Sequence, residues 1–275
     1  MATPFADNVV ILTGASSGIG RETALQLADQ GARLALAARG LPRLDDVALA
    51  CRRRGADAIA VSTDVTDPEA CDRLVRTAVD RYGRVDTLVC NAGISQAFPF
   101  DALEDLALAE RIMRVNYLGV VSCAHHALPH LLTSRGRFVA VASLAGKTGV
   151  PWRTLYAASK HALAGFCDSL RIELADRGVS VTVIYPDFVQ TEVHDRVLGP
   201  DGEPHAVHPL RRGSFMSAAA CARHVIRAAA RRRREAVLGL RGKLGARLKW
   251  LVPGLVDRVA RHASAGVRFG EGGRG

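Results

Sequence analysis

The chain has 275 residues, 48% of them hydrophobic, and a formal net charge of +10, which suits one large α/β domain, or a domain with a short appendage. Residues 211–275 carry 16 Lys and Arg against 3 Asp and Glu, so the basicity belongs to the C-terminal quarter and the remainder is slightly acidic. Six scattered cysteines show no metal-type spacing, and the first apolar run is short and lacks a basic flank, which argues against a zinc site, a secretory signal or a membrane span and leaves a cytoplasmic protein as the expectation.

Strand-like and helix-like patterns alternate along most of the chain. Apolar runs suited to buried strands fall at 9–13, 33–38, 57–62, 85–90, 137–142, 180–185 and 236–240. Helical patterns lie between them, near 19–30, 42–54, 67–82, 102–133, 155–177 and 217–233. Asp67-Pro68-Glu69 reads as an N-cap, a first-turn proline and a first-turn acid. Parallel strands need helical crossovers, so the alternation predicts an α/β fold: a single Rossmann-type, doubly wound domain with a seven-stranded parallel sheet over residues 1–240. Residues 187–216 interrupt the pattern with Pro, Gly and His after a strand, where such sheets bind ligands, and read as a substrate lid. Residues 241–275 form a basic helical extension with a Gly-rich end.

The chemistry begins at Thr13–Gly20, a Gly-rich turn between the first strand and the first helix. Gly14, Ser16, Ser17, Gly18, Ile19 and Gly20 are expected to bring backbone N–H groups and a helix N-terminus to a pyrophosphate. The second strand ends in Ala38-Arg39 with no acid until Asp45. An acid here binds a ribose 2′-OH and an arginine a 2′-phosphate, so Arg39 favours NADP(H) over NAD(H), with Arg21 as a helper. Asp64-Val65 and Asn91-Ala92-Gly93 end the third and fourth strands on the same sheet edge; an acid there can accept from an adenine amino group, and a small-residue turn lets a cofactor pass. Tyr156 and Lys160 lie four apart on one helix face, thirteen residues after a strand-end serine, Ser143. A tyrosine with a pKa of about 10 is a poor acid–base group at neutral pH, and a neighbouring ammonium favours its phenolate.

With these residues in place the chain resembles the short-chain dehydrogenases/reductases over residues 8–240. The matching motifs are Thr13–Gly20, Asn91–Gly93, Asn116 in a helical Val-Asn-Tyr, Ser143, and Tyr156-x-x-x-Lys160. The resemblance implies that Tyr156 is the general acid/base, that Lys160 binds the nicotinamide ribose and tunes Tyr156, that Ser143 polarises the substrate carbonyl, and that Asn116 holds a water in a proton relay to Lys160. It also implies that Val189 and Thr191 bind the nicotinamide carboxamide, and that the chain forms a homodimer or homotetramer. Two departures stand out: Cys90 where the family often has asparagine, and Asp187 where a glycine usually relaxes the turn. Gly20-Arg21-Glu22 and Ala38-Arg39 look like the NADP-dependent hydroxysteroid dehydrogenase branch, which implies a steroid- or lipid-like alcohol or ketone. Phe188, Val193, Val197, Leu198, Phe215 and Met216 would either line an apolar pocket or simply pack the lid.

The competing functions are a ketoreductase for acyl chains on an acidic carrier protein, and a non-catalytic NADP(H)-binding sensor or scaffold; the complete Asn116, Ser143, Tyr156 and Lys160 set argues against the second. His125-His126 and His130 read as helix surface or subunit contact, not as a metal site, and Arg231–Arg234 as a helix-end cluster, not a nucleic-acid patch. Leu240, Leu244, Leu248, Leu251, Leu255 and Val259 recur at helical spacing among basic residues and Trp250. Such a segment, 241–259, either touches an anionic membrane surface peripherally or packs over the substrate mouth or a second subunit.

Overall fold

The computed structural model describes residues 3–191, 197–205 and 215–264. Its centre is a parallel sheet of seven strands: β1 (Val9–Thr13), β2 (Arg33–Ala38), β3 (Ala58–Ser62), β4 (Thr87–Cys90), β5 (Arg137–Val141), β6 (Ser180–Tyr185) and an edge strand, Glu235–Val237. From that edge strand the order runs β6, β5, β4, β1, β2, β3. In register, Ile11 of β1 lies between Ala35 of β2 and Leu88 of β4. Helices α1 (Gly18–Ala28), α2 (Leu41–Arg52), α3 (Pro68–Tyr82), α4 (Ala107–Met113), α5 (Gly119–Ser134), α6 (Thr154–Glu173) and α7 (Ala218–Ala230) connect the strands.

Alternate residues of a strand face opposite sides, and here both sides are covered. Val10 and Leu12 pack in one cluster with Leu25, Leu44 and Val225, whereas Val9 and Ile11 pack in the other with Leu74, Leu131 and Leu163. The chain order reverses between β1 and β4, and the crevice beyond their carboxyl ends is where such sheets place ligands.

Departures from the sequence pattern have local causes. The last strand ends at Val237, short of the expected 240, because Gly239 takes φ +86° and α8 (Leu240–Leu251) starts next. The helix expected over 102–133 is three pieces: Asp105 accepts from the Ala107 N–H (2.8 Å) at the start of α4, and a π-turn, Arg114–Leu118, separates α4 from α5. At α3 the Asp67 carboxylate accepts from the Glu69 N–H (2.9 Å), the expected cap. Within the expected lid, Val189–Gln190 pairs with Met216–Ser217, and Val197–Leu198 pairs with Pro204–His205. Val193 lies outside the described residues. The C-terminal extension is two helices, α8 and α9 (Pro253–Ser264), divided where Pro253 opens the second. Arg232, in the run 231–234, donates to the carbonyls of Gly136 (3.1 Å) and Gly178 (2.9 Å), a structural clamp.

Candidate active site

The Gly-rich turn is built around missing side chains. A β-carbon on Gly20 would lie 2.1 Å from the Gly14 carbonyl oxygen, and one on Gly14 would lie 2.8 Å from Ala92 Cα. Gly14 and Gly18 hold φ of +66° and +52°, the left-handed region that favours glycine. Asn91 Nδ2 donates to the Thr13 (3.2 Å) and Gly14 (3.1 Å) carbonyls, and Thr13 Oγ1 accepts from the Asn91 and Ala92 N–H groups. The ends of β1 and β4 are thereby tied together. Ser17 caps α1 without a side-chain hydrogen bond to its N–H groups, and Ile19 packs into the core. The Thr191 side chain stands 3.2 Å from where a Gly18 β-carbon would be, so the segment after β6 reaches the same turn. These features fit a dinucleotide pyrophosphate: a close backbone approach, positive N–H ends and no side chain in the way.

Beside this turn Ser16, Arg21, Arg43, Asp46 and Val47 line a cleft of about 290 Å³. Arg21 is ion-paired with Glu22 at 2.8 Å. Arg39 is exposed at the end of β2 and its carbonyl accepts from Ser62 Oγ (3.2 Å). Arg43, on the first turn of α2, also lines this cleft and was not singled out from the sequence, where a lone helix arginine carries no signal. Asp64 Oδ1 accepts from the Thr66 N–H (2.9 Å) and hydroxyl (2.8 Å), which fixes the turn after β3. Val65 packs against Gly119, where a β-carbon would be 2.9 Å away.

Ser143, Tyr156 and Lys160 converge beyond β5. Ser143 follows the strand end, where the Leu144 N–H donates to the Pro186 carbonyl (2.8 Å) and its Oγ accepts from Ala145 N–H (3.2 Å). Tyr156 opens α6 half-buried, and its N–H is received by the Gln96 side-chain oxygen at 3.0 Å. Gln96 is fully buried and its Nε2 donates to the Trp152 carbonyl (3.2 Å), so one amide from the loop after β4 seats the start of the helix. Burial pushes the Tyr156 phenol above its ordinary range, while the hydrogen bond to Ser143 and the Arg153 guanidinium pull it down.

Lys160 is 3% exposed and its Nζ donates to the Val141 carbonyl (3.2 Å), 5.7 Å from the centre of the Tyr156 ring. Desolvation lowers its ammonium from 10.5 to about 8. Asn116 is fully buried inside the π-turn. Its Oδ1 accepts from the Ile94 N–H (2.9 Å), and its Nδ2 donates to the Ile94 carbonyl (2.9 Å) and Ser159 Oγ (3.0 Å). Gly93 permits the packing, since a β-carbon there would meet Asn116 Oδ1 at 3.1 Å and Lys160 Nζ at 3.5 Å. Cys90 is buried with Cys71 and Cys123 in the core below. Of the expected pocket residues, Val197 and Leu198 are buried, Leu198 against Phe98 and Ile112, and Met216 packs on the core; Phe188 and Phe215 meet edge-on at 6.2 Å beside the site. Val189 is buried in its short strand.

The family model for short chain dehydrogenases matches residues 8–199. A Dictyostelium discoideum dehydrogenase/reductase SDR family protein 7-like is 33% identical over 271 residues, spanning 96% of this chain and 84% of that protein. The Arabidopsis thaliana 11-beta-hydroxysteroid dehydrogenase-like 4A is 43% identical over 183 residues, 66% of this chain, and the match spans 61% of that relative's length. Among solved structures, a short chain dehydrogenase/reductase from Burkholderia phymatum in complex with NAD superposes with a TM-score of 0.81 at 27% identity, covering 92% of this chain and 96% of that one. An alcohol dehydrogenase from Thermococcus sibiricus complexed with 5-hydroxy-NADP gives 0.73 at 25% identity, covering 84% and 95%. The chain belongs to the short-chain dehydrogenase/reductase family, in its hydroxysteroid dehydrogenase-like branch, and is an oxidoreductase acting on CH–OH donors with a nicotinamide cofactor.

Proposed function

We propose that this enzyme uses NADP(H) to interconvert a carbonyl and a secondary alcohol on a hydrophobic, steroid- or lipid-like substrate. The observation that carries the reading is the meeting of Ser143, Tyr156 and Lys160 at the sheet edge that also holds the open N-terminus of α1. Gly14, Ser16, Ser17, Gly18, Ile19 and Gly20 would hold the pyrophosphate, with Asp64, Val65, Asn91, Ala92 and Gly93 along the adenine and ribose path and Val189 and Thr191 at the carboxamide. A bound nicotinamide supplies or accepts the hydride.

The chain's own residues manage the proton. In reduction the Tyr156 hydroxyl gives its proton to the substrate oxygen, which the Ser143 hydroxyl polarises by donating a hydrogen bond; oxidation reverses both. Lys160 reloads the proton path. The side-chain amide of Asn116 is committed to Ile94 and Ser159, so its part in a relay falls to its main-chain carbonyl, in a π-turn of the kind that recurs at functional sites.

The test is NADPH consumption against a panel of hydrophobic ketones, comparing the wild type with Tyr156→Phe. General acid–base work is worth about 100-fold or more, so the variant should fall by at least that factor while still binding NADPH. Turnover that survives the substitution overturns the mechanism. For the cofactor, the exposed Arg39 and the cleft beside Ser16 support a 2′-phosphate site; Arg39→Ala should raise the KM for NADPH about tenfold and leave NADH nearly unchanged, and equal effects refute the role.

The reading extends to a cytoplasmic homo-oligomer that touches membranes peripherally through 241–259. No helix among the described residues is long and apolar enough to cross a membrane. In α8 and α9, however, Trp250 is 88% and Leu251 79% exposed, with Leu244, Leu255 and Val259 also exposed beside Lys243, Arg258 and Arg261. Co-sedimentation with phosphatidylglycerol-containing vesicles should drop on Trp250→Ser with Leu251→Ser; unchanged binding rules the contact out.

A further inference from the structure

Arg153 is a cation inside the substrate end of the site; its charge lowers the Tyr156 phenol, and the proposed carbonyl chemistry leaves most of its N–H donors without a task. It is the N-cap of α6, three residues before Tyr156 and so on the same helix face. The half-buried guanidinium donates from Nη1 to Ser95 Oγ at 3.0 Å, and its central carbon lies 5.9 Å from the centre of the Phe188 ring. Ser95 is itself 3% exposed and follows the Asn91–Gly93 turn, while Phe188 follows the end of β6. Arg153 thus stands where the β4 loop, the β6 loop and the start of the catalytic helix meet.

Several exposed arginines of the domain are matched by carboxylates, Arg54 by Asp29 and Arg81 by Asp57 at 2.8 Å and Arg73 by Asp67 at 3.3 Å, while Arg52, Arg111 and Arg232 donate to backbone carbonyls. Among the described residues no carboxylate forms an ion pair with Arg153. A guanidinium carries five N–H donors, and the Ser95 contact uses one. Withdrawing such a cation from water without a counter-charge is costly, and a leucine or methionine would fill the space against Phe188 without that cost.

The backbone pays to keep it there. Trp152 sits at φ +62°, left-handed backbone that a bulky side chain rarely takes. The strained peptide is held because the Trp152 carbonyl accepts from the Phe98 N–H (3.0 Å) and from Gln96 Nε2 (3.2 Å). That turn delivers Arg153 to the helix start, one turn from the catalytic phenol.

Resting on the carbonyl–alcohol reading above, we propose that Arg153 receives a carboxylate of the substrate. The substrate class is then an amphipathic oxo or hydroxy acid, with its carbonyl at Ser143 and Tyr156, its acid at Arg153 and its apolar part against Phe188 and Phe215.

The test measures kcat and KM with NADPH for oxo-octanoic acids, the carbonyl stepped along the chain, each against its methyl ester. In the wild type at least one acid should exceed its ester about tenfold in kcat/KM, the size expected of a charge-assisted hydrogen bond. Removing the charge beside Tyr156 lowers kcat for acid and ester by a common factor, so the readout is the acid-to-ester ratio of kcat/KM: Arg153→Leu should erase it through KM for the acid, and Arg153→Lys should restore part of it. The proposal is overturned if no acid outperforms its ester in the wild type, or if the acid-to-ester ratio survives Arg153→Leu. Ester turnover that disappears in Tyr156→Phe would leave the carbonyl–alcohol reading standing in either of those cases. Absence of wild-type turnover on both series, with NADPH still bound, overturns both.

Discussion

Replacing Lys160 by methionine should destroy turnover and stabilise the fold. The ammonium is buried, with the Val141 carbonyl as its hydrogen-bond partner at 3.2 Å, and desolvation lowers it from 10.5 to about 8. At 1.36 kcal/mol per pKa unit, keeping it charged in the folded protein at neutral pH costs roughly 3 kcal/mol. Methionine removes that cost and gives up a hydrogen bond from a charged donor worth about 2 kcal/mol, for a net gain of about 1 kcal/mol. In a chain of this size that is an increase in Tm of about 2–4 °C.

The pH dependence makes the reasoning specific. Below about pH 8 Lys160 is protonated in both folded and unfolded chains, and the whole penalty is present. Between about 8 and 10.5 the unfolded chain keeps a proton that the folded one has released, so wild-type stability gains from this group as pH rises. Above that window the penalty is gone, and the variant should be the less stable by the lost hydrogen bond. The assay is thermal or urea unfolding of both ligand-free proteins at pH 7, 8, 9 and 10, with NADPH turnover alongside. A Lys160→Met protein that is less stable at pH 7, or a stability gap that does not shrink across the window, refutes the account.

Gly20→Ala places a β-carbon 2.1 Å from the Gly14 carbonyl oxygen, between backbone segments with no room to yield, and should cost about 1–3 kcal/mol together with most of the NADPH affinity. Gly165→Ala in α6 meets nothing within 4 Å and should stabilise by up to about 1 kcal/mol; matching shifts in Tm for the two would show that close packing is not the reason for Gly20. Ser143→Ala removes one of the two influences that lower the Tyr156 phenol, so the rise of alcohol oxidation with pH should move to higher pH as kcat falls; a limb that stays put or moves toward acid contradicts the assignment. Gln96→Leu takes away the acceptor of the Tyr156 N–H and leaves the Trp152 carbonyl with the Phe98 N–H alone, and should cost about 1–3 kcal/mol and lower kcat more than it raises the KM for NADPH; an unchanged kcat would show that the amide does not seat the start of this helix.

The sheet was legible because strands covered on both faces read as uninterrupted apolar runs, and the intervening helices carry a different period. The Gly-rich turn and the Tyr156–Lys160 pair were legible for the same reason: each is local in sequence, and spacing alone puts its members on one turn or one helix face. What the pattern hid is non-local or shares its residue types with ordinary structure. The π-turn at Arg114–Leu118 uses residues any α-helix would accept, so the stretch reads as one helix. Gln96 sits in a loop without periodicity and acts on Trp152 and Tyr156, which are 56 and 60 residues away. The leucine spacing of the tail announced helix, yet not that Leu251 and Val259 would remain exposed.

The two ends of the site are made by opposite devices. At the end proposed for the cofactor the requirement is absence: glycines at 14, 18 and 20 and a small-residue turn at 91–93 let backbone approach backbone, and composition announces such a place. At the substrate end the requirement is presence against preference: a tryptophan at φ +62°, a buried glutamine standing in for a helix cap, and a guanidinium without a carboxylate partner among the described residues. Local rules fail in natural proteins mostly where function needs them to. Three such failures packed around the start of the Tyr156 helix are what support placing the proposed acid recognition at Trp152–Arg153 and the Ser95–Gln96 loop that holds it. Exchanging those residues should change which acid is accepted before it changes whether NADPH binds.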